Sequence, residues 1–262
     1  MCAQKASEWT ELGISAWTKF RVNSDPIDDT IFEPLTPWRH YIRTPFYGRI
    51  VESPHDCFLA VGWESPKVYD EFKRSPQYEK LMANLGANSM DPQTHIIVFS
   101  NTMFGYGSGP NTEILTAYWP KSISPETQEA VWNAKDLVHT PASGIPNPRC
   151  YREPPTFGWL DGVQTWNEEN VLASVWCHNW VNKELEQKFK RTDKRIVYLD
   201  GHVAYPLALD DFENALKALG VLGWQSVHVD FEHVSIIYED ALSRKNRLQK
   251  KLDEAIDRLG SL

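Results

Sequence analysis

The segment SVHVDFEHV (226–234) carries the side chains best suited to acid–base chemistry. A histidine whose second ring nitrogen meets a carboxylate is a common general base, so His228 beside Asp230 predicts such a pair. The segment alternates polar and apolar residues as a β-strand does. We expect its apolar side to meet covering helices and its polar side to face the inside of the fold. The polar side holds Ser226, His228 and Asp230, and the apolar side holds Val227, Val229 and Phe231.

A second strand-like segment, VLASVWCHNW (171–180), can extend this site, because its alternate residues share one face. The chain also has 11 tryptophans, and aromatic side chains can line a pocket for an apolar ligand as well as fill a core. The predicted catalytic residues are His228, Asp230, His178 and Tyr78, and the predicted substrate-binding residues are Trp176, Tyr118, Trp166, Ser226, Ser174 and Trp63.

Structural roles compete with each of these assignments. Most buried polar side chains only satisfy hydrogen bonds, so His228 is about as well explained by a polar seam in the fold. His178 also suits a loop at a strand end. Asp230, Glu232 and His233 imitate a metal cluster, but no second spaced pair of ligands accompanies them. We therefore predict no metal site.

The chain resembles itself at three places in the same order, which predicts an internal duplication. The clearest pair opens with Leu-Ala-x-x-Trp, which is typical of a buried strand, and runs into an amphipathic helix ending in Phe-Lys-Arg-Ser/Thr. Each copy is interpreted as strand, helix, two strands, helix, strand. The matching segments are 58–75 with 171–192, 93–99 with 225–231, and 13–20 with 114–121.

These copies predict the division of the chain. The first repeat spans 1–105 and the second spans 112–236, with a glycine-rich linker between them. Residues 237–262 place leucines and an isoleucine on one face and predict a C-terminal amphipathic helix. Asp200-Gly201 lies between apolar runs and predicts a hairpin in the second repeat alone.

The pattern VGWES…YDEFKRSPQYEKL within 58–85 resembles the dimeric α+β barrel superfamily, which includes antibiotic-biosynthesis-monooxygenase-like and stress-responsive barrel proteins. The shared motif is Trp/Phe-Glu-Ser at a strand end, an aromatic residue in the next helix, then Ser/His-Pro and a downstream leucine. The motif is degenerate in 171–192. The resemblance implies an α+β fold of two ferredoxin-like β-α-β-β-α-β repeats, packed sheet to sheet as a barrel with the helices outside. Here both repeats would come from one chain.

The resemblance also implies small-molecule chemistry, although a fold does not select one reaction. Its members carry out cofactor-free oxygenation of phenols, polyketide cyclisation, lactone isomerisation or haem-based dehydration. The plant polyketide cyclases among them use a histidine in His-Pro-x-His. This sequence has Ser75-Pro76-Gln77-Tyr78 instead, so Tyr78 replaces that acid–base residue.

We therefore expect a cofactor-independent enzyme of specialised metabolism, of the polyketide or terpenoid type, that cyclises, eliminates from or isomerises an apolar small molecule. It would work by acid–base catalysis, with His228 as base and Tyr78 or Tyr118 as acid, or by holding a reactive conformer. Three alternatives stay open. They are a haem-dependent dehydratase with His228, His178 or His233 as axial ligand, a cofactor-free monooxygenase, and a binding or stress protein without turnover.

Composition narrows the partners. The net charge of −8 and the lack of a basic cluster argue against nucleic acid. No apolar run approaches the roughly 20 residues that span a membrane. The four cysteines are scattered and are interpreted as free thiols, which favours the cytoplasm. A homodimer is a further option.

Overall fold

The computed structural model describes residues 14–88, 91–99, 109–134, 137, 150–190 and 208–237. The predicted hairpin at Asp200-Gly201 lies outside these residues, as does the predicted C-terminal helix beyond residue 237. The described residues form nine strands. These are β1 (Ile14–Arg21), β2 (Ile42–Ile50), β3 (Ser53–Trp63), β4 (Gln93–Phe99), β5 (Thr112–Pro120), β6 (Tyr151–Leu160), β7 (Gln164–Trp166), β8 (Glu169–Trp180) and β9 (Gly223–His233).

Eight of these strands close into an antiparallel barrel. Their order is β2-β3-β1-β4-β6-β8-β5-β9, and β9 pairs with β2 to complete the circle. The short strand β7 lies outside and pairs only with β8. The predicted α+β barrel is therefore confirmed. The runs β2-β3-β1-β4 (the first half) and β6-β8-β5-β9 (the second half) have the same strand order along the chain; the duplication, the ferredoxin-like repeats and the domain boundaries stay predictions.

Helices cover the outside of the barrel. Two of them follow β3 where the sequence predicts one, because a break at Arg74–Ser75 separates them. Ser65 and Ser75 each cap a helix, and a proline follows each cap, where its missing N–H costs no helical hydrogen bond. The helices are α1 (Pro66–Lys73), α2 (Pro76–Leu85), α3 (Pro125–Trp132), α4 (Lys183–Lys190) and α5 (Ala208–Ala218), with 3₁₀ segments at Asp29–Trp38 and Gly86–Asn88.

None of the described helices combines the length and the apolar character needed to cross a lipid bilayer.

The halves meet along two seams, and each seam contains a glycine in close contact with the facing strand. A Cβ on Gly48 of β2 would lie 2.4 Å from the backbone oxygen of Asp230 in β9. A Cβ on Gly158 of β6 would lie 2.8 Å from the backbone oxygen of Val98 in β4. Any larger residue at either position would force the strands apart, so these glycines allow the barrel to close.

The barrel interior is a packed apolar core to which all eight strands contribute. Trp17 lies near its centre, with its ring 5.8 Å from Phe231 and 5.7 Å from Phe58. Since Val229 and Phe231 belong to this core, the apolar side of β9 faces inward. The predicted orientation of this strand is therefore wrong. Ser226, His228 and Asp230 lie on the outer face of the barrel.

The physical reason for this orientation lies in the two environments. The interior is filled by large apolar side chains that offer no partners for polar groups, and burying unpaired polar groups is costly. The outer face of the second half supplies carboxylates and an amine from β5 and α4 to the polar side of β9.

Candidate functional site

A cavity lies between the outer face of the first half and the helices α1 and α2. We call it the first-half cavity. Its volume is about 10 Å³, which is about the room that one water molecule needs. It is lined by Ala16, Thr18, Leu35, Leu59, Val61, Trp63, Tyr69, Phe72, Tyr78, Leu81, Met82 and Thr94. The structure therefore brings together two predicted site residues, Tyr78 and Trp63.

Few polar groups face this cavity, and those present are hydrogen-bond donors. The buried Nε1 of Trp63 has no hydrogen-bond partner among the described residues. The hydroxyls of Thr18 and Thr94 bond each other at 2.8 Å. Burial raises the pKa of Tyr69, so its hydroxyl stays protonated at neutral pH. Tyr78 adds a second phenol at the edge of the cavity.

Aromatic rings from strand β3 and the helices form much of the cavity wall. Trp63 stacks on Phe72 with a centroid distance of 4.7 Å, and Tyr78 meets Phe72 edge-on at 5.5 Å. Three of the lining residues, Tyr78, Met82 and Thr94, are partly exposed and mark the mouth. An apolar aromatic molecule would meet aromatic rings that also carry hydrogen-bond donors.

Helix α2 must shift before the cavity can hold more than a water. The helix rests on the 3₁₀ segment Asp29–Trp38, where the side-chain amide of Asn84 donates to the backbone oxygen of Ile31 at 3.0 Å. An exposed ion pair of Lys80 with Glu33, at 3.7 Å, adds little to this contact. The break at Arg74–Ser75 gives α2 a joint about which to move.

A second group of functional side chains lies on the outer face of the second half. We call it the second-half ion cluster; its members are Glu52, Glu113, Glu186, Lys190 and His228. Lys190 donates to Glu113 at 2.8 Å and to Glu186 at 2.6 Å. The ring of His228 bonds Glu52 through Nδ1 at 2.6 Å and Glu186 through Nε2 at 2.9 Å.

Glu113 is the centre of this cluster. It lies on β5 directly between His178 of β8 and His228 of β9 in the strand register. Its carboxylate also accepts from Trp180 Nε1 at 2.9 Å and from the Ser226 hydroxyl at 2.6 Å. Burial by itself would raise the pKa of Glu113, but attraction to His178 and Lys190 and these hydrogen bonds lower it to about 2. Glu113 is thus a buried, ionised carboxylate.

The cluster also fixes the charge of His228. Its hydrogen bond to Glu186 raises the pKa of His228 to about 9, helped by Glu52 and opposed by burial. An imidazole that keeps its proton at neutral pH is an acid rather than the base that the sequence predicts. Asp230 does not orient it, because the ring nitrogens bond Glu52 and Glu186. The carboxylate of Asp230 accepts from the backbone N–H of Asn111 at 2.8 Å.

Five predicted residues lie in the core of the second half or at the end of the barrel. Ser174 accepts a hydrogen bond from Trp119 Nε1 at 2.9 Å, and Trp176 packs on Phe157 at 4.7 Å. Tyr118 and Trp166 stack at 4.9 Å, as the expectation of an aromatic wall requires, but far in sequence and structure from the lining of the first-half cavity. His178 lies on strand β8, not in a loop, and is fully buried.

The three histidines considered as axial ligands, His228, His178 and His233, do not fit a haem in their observed positions. An axial ligand needs a ring nitrogen that faces an open space. Both ring nitrogens of His228 bond carboxylates, and His178 is fully buried between Trp180 at 5.9 Å and Phe212 at 6.4 Å. The ring of His233 lies against Phe46, with 4.5 Å between centroids. The proposed reaction below therefore includes no haem.

Sequence reasoning missed the partners of His228 and most of the cavity. Glu113 lies among apolar residues on the helix-facing side of β5. A polar residue on an otherwise apolar strand face is visible in the sequence, so Glu113 could have been identified as a candidate. Glu186 and Lys190 are four residues apart on a polar helix, which usually indicates a solvated surface pair. Thr18 carries no sequence signal, because nothing in the sequence marks a small residue as the one that leaves space for a cavity.

Comparisons with known proteins bear on the fold. No known protein family and no curated protein matches the sequence. An anthrone oxidase-like protein of solved structure is similar over 85% of this chain and 93% of its own, with 9% identity and a TM-score of 0.52. A candidate monooxygenase from Lactobacillus acidophilus is similar over 84% and 94%, with 9% identity and a TM-score of 0.51. At this identity the likeness shows the α+β barrel fold alone.

Proposed function

We propose that the chain is a cofactor-independent enzyme of specialised metabolism that cyclises, eliminates from or isomerises an apolar small molecule bound in the first-half cavity. The proposal rests on two observations: Trp63 lines the cavity, and its buried Nε1–H has no acceptor among the described residues. A buried donor without a partner costs about 1–3 kcal/mol. A ligand that brings an oxygen acceptor recovers this free energy.

The donors define the chemistry that the cavity can support. Trp63, Tyr69 and Tyr78, which line the cavity, carry one N–H and two O–H groups as donors for a substrate oxygen. Donors held around an oxygen that gains negative charge stabilise an enolate-like transition state, and more so where water is excluded. Tyr78, at the mouth, can donate a proton to that oxygen and regain one from the solvent, which also takes up the proton that the substrate releases; this is the acid role that the sequence predicts for Tyr78.

The lining also limits the substrate. Its described residues include no carboxylate, imidazole, amine or guanidinium group. A charged substrate would find no counter-ion there, so the substrate is neutral when it binds. Without a protein base, catalysis relies on holding a reactive conformer and stabilising its developing oxygen charge.

Cofactor-free oxygenation of a phenol is the second candidate. The same observation favours it, because a phenol that binds in its neutral form can lose its proton to water at the mouth without a protein base. The donors of the cavity would then hold the phenolate oxygen.

Binding of a neutral aromatic ketone tests the site directly. We would titrate the protein with 1-tetralone in a calorimeter and compare two variants. Trp63→Phe keeps an aromatic ring but removes the donor, so we expect affinity to fall about tenfold. Thr18→Trp fills the cavity, so we expect binding to be lost. Trp166→Phe, at the end of the barrel, is the matched control and should bind as the wild type does.

The outcomes separate the candidate functions. Binding that survives both Trp63→Phe and Thr18→Trp contradicts the cavity as the site. Binding in the cavity without turnover of any member of a panel of polyketide-type ketones and phenols would favour a binding protein. Consumption of oxygen with a phenol would favour the monooxygenase.

The remaining sequence expectations accompany this proposal. We propose that the enzyme acts in the cytoplasm, with the small molecule as its partner and neither nucleic acid nor membrane involved. Self-association into a homodimer is compatible with the proposal and is measured by sedimentation.

A further inference from the structure

The second-half ion cluster presents three metal-ligating side chains to a common point. One oxygen each of Glu113 and Glu186 and one ring nitrogen of His228 lie within 4.8 Å of one another. Ligand atoms around a tetrahedral zinc ion are about 3.4 Å apart, so small side-chain rotations would bring the three onto one ion. The ligands come from β5, α4 and β9, which hold them from three directions.

Residues that hydrogen-bond the three ligand side chains already orient them, as the residues around the ligands of a bound metal ion do. Glu52 holds His228 through Nδ1 at 2.6 Å, which leaves Nε2 directed at the two carboxylates. A carboxylate on the far nitrogen of a ligating histidine is a common feature of metal sites. Asn111 donates to the other oxygen of Glu186 at 3.1 Å, and Trp180 donates to Glu113 at 2.9 Å. The three ligands are therefore aimed before any ion arrives.

Lys190 stands in the position of the cation. Its ammonium group contacts both carboxylates, while its side chain is 21% exposed, so a rotation of its flexible stem would carry it into solvent. A divalent ion between the carboxylates would take over the neutralising role of the Lys190 ammonium.

We propose that Glu113, Glu186 and His228 form a binding site for a divalent transition-metal ion, which Lys190 fills in the metal-free protein and vacates when the ion binds. One imidazole and two carboxylates suit Zn²⁺, Mn²⁺ or Fe²⁺ rather than Ca²⁺ or Mg²⁺, which prefer oxygen ligands alone. The site lies on the opposite half from the first-half cavity, so it is independent of the proposed function.

Calorimetric titration of the chelator-treated full-length protein with ZnCl₂ tests the proposal. We expect one ion per chain. Glu113→Gln and His228→Gln should each weaken binding at least tenfold, since each removes one ligand. Lys190→Met should strengthen binding at least tenfold, because it removes the competing cation. Glu184→Gln, which removes a carboxylate from the exposed side of the same helix, is the control and should leave the affinity unchanged.

The Lys190→Met variant keeps the test decisive if a buried ligand variant fails to fold, because a gain of affinity cannot come from misfolding. Lack of saturable zinc binding by the wild type and by Lys190→Met overturns the proposal. Stoichiometric binding that His228→Gln leaves unchanged overturns it too, because the ion would then sit elsewhere.

Discussion

The two halves of the barrel share a strand order but differ in what covers their outer faces. Ala16 of β1 lies opposite Val61, and Ala117 of β5 lies opposite Ser174. Val61 and Ser174 each lie two residues before the tryptophan of a Leu-Ala-x-x-Trp segment, so the two alanines occupy corresponding positions. Two residues further along each strand, the first half has a threonine and the second a tryptophan. Thr18 leaves room for the first-half cavity, whereas Trp119 is fully buried in the core of the second half.

The polar side chains on the two outer faces also differ in how their hydrogen bonds are satisfied. On the outer face of the first half, Thr18 and Thr94 satisfy each other, and Trp63 Nε1 has no partner among the described residues. On the outer face of the second half, Glu113 accepts from an amine, an indole and a hydroxyl. One half therefore has a buried donor without a partner among the described residues, whereas the other pairs its buried carboxylate within the protein.

Trp119→Ala should have the largest effect, because it would open in the second half the space that the first half already has. Replacing a fully buried tryptophan by alanine costs about 3–5 kcal/mol of the free energy of unfolding. Thr18→Ala is the matched change in the first half; it removes one hydroxyl pair beside an existing cavity and should cost about 1 kcal/mol. Urea unfolding measures both. Equal losses of unfolding free energy in the two variants would contradict the view that Trp119 fills in the second half the space that Thr18 leaves open in the first.

Lys190→Met should rank second. The change leaves two carboxylates, 3% and 5% exposed, without their ammonium partner. Removing one member of a buried ion pair costs about 3–5 kcal/mol, and we expect the lower end because Trp180 and Ser226 still donate to Glu113. Urea unfolding in the presence of a chelator measures the loss. Lys183→Met, an exposed change on the same helix, should stay within about 0.5 kcal/mol of the wild type.

The comparison also shows which parts of the structure the sequence could predict. Alternation along β9 and the motif around Trp63 identified the strands and the barrel, because both reflect local backbone geometry and burial. The helix that follows Ser65 was likewise readable, although the break before Pro76 was not expected. The sequence expectation named Tyr78 and Trp63 separately, and the structure places both on the lining of one cavity.

The sequence could not show which side of β9 points into the barrel, because alternation of polar and apolar residues defines two strand faces without showing which of them is inside. That choice depends on partners distant in sequence, such as Glu113 and Lys190, which satisfy His228 and Ser226 only after the barrel has closed. The cavity escaped prediction for a similar reason. It exists because Thr18 is smaller than Trp119, and the difference matters only in the folded context.

A pH titration of stability should show a third, smaller effect, confined to the second half. The pKa of His228 is raised from 6.5 to about 9 in the folded protein, by Glu186 first and Glu52 next, with Glu113 and Lys190 nearby. Its stabilisation is therefore complete below about pH 6.5 and is lost as the pH rises through about 9. We expect a loss on the order of 2 kcal/mol.

Urea unfolding between pH 6 and about 9.5, with a chelator present, measures this loss, and His228→Gln is the control. The variant has no imidazole to titrate, so its stability should fall less over the same interval. Parallel curves for the two proteins would show that groups other than His228 cause the change.

Asp230→Asn should have the smallest effect, and it separates the pair suggested by the sequence from the contacts in the structure. Asp230 is exposed and accepts one backbone N–H from Asn111, which an amide oxygen can also accept. The change should therefore alter the free energy of unfolding by less than about 0.5 kcal/mol. It should also leave the alkaline loss due to His228 in place, because Glu52 and Glu186 hold the imidazole. If Asp230→Asn removed that loss as His228→Gln does, Asp230 and His228 would be coupled on β9. The outer face of the second half would then contain the His228–Asp230 pair that the sequence suggested, in place of the contacts of His228 with Glu52 and Glu186.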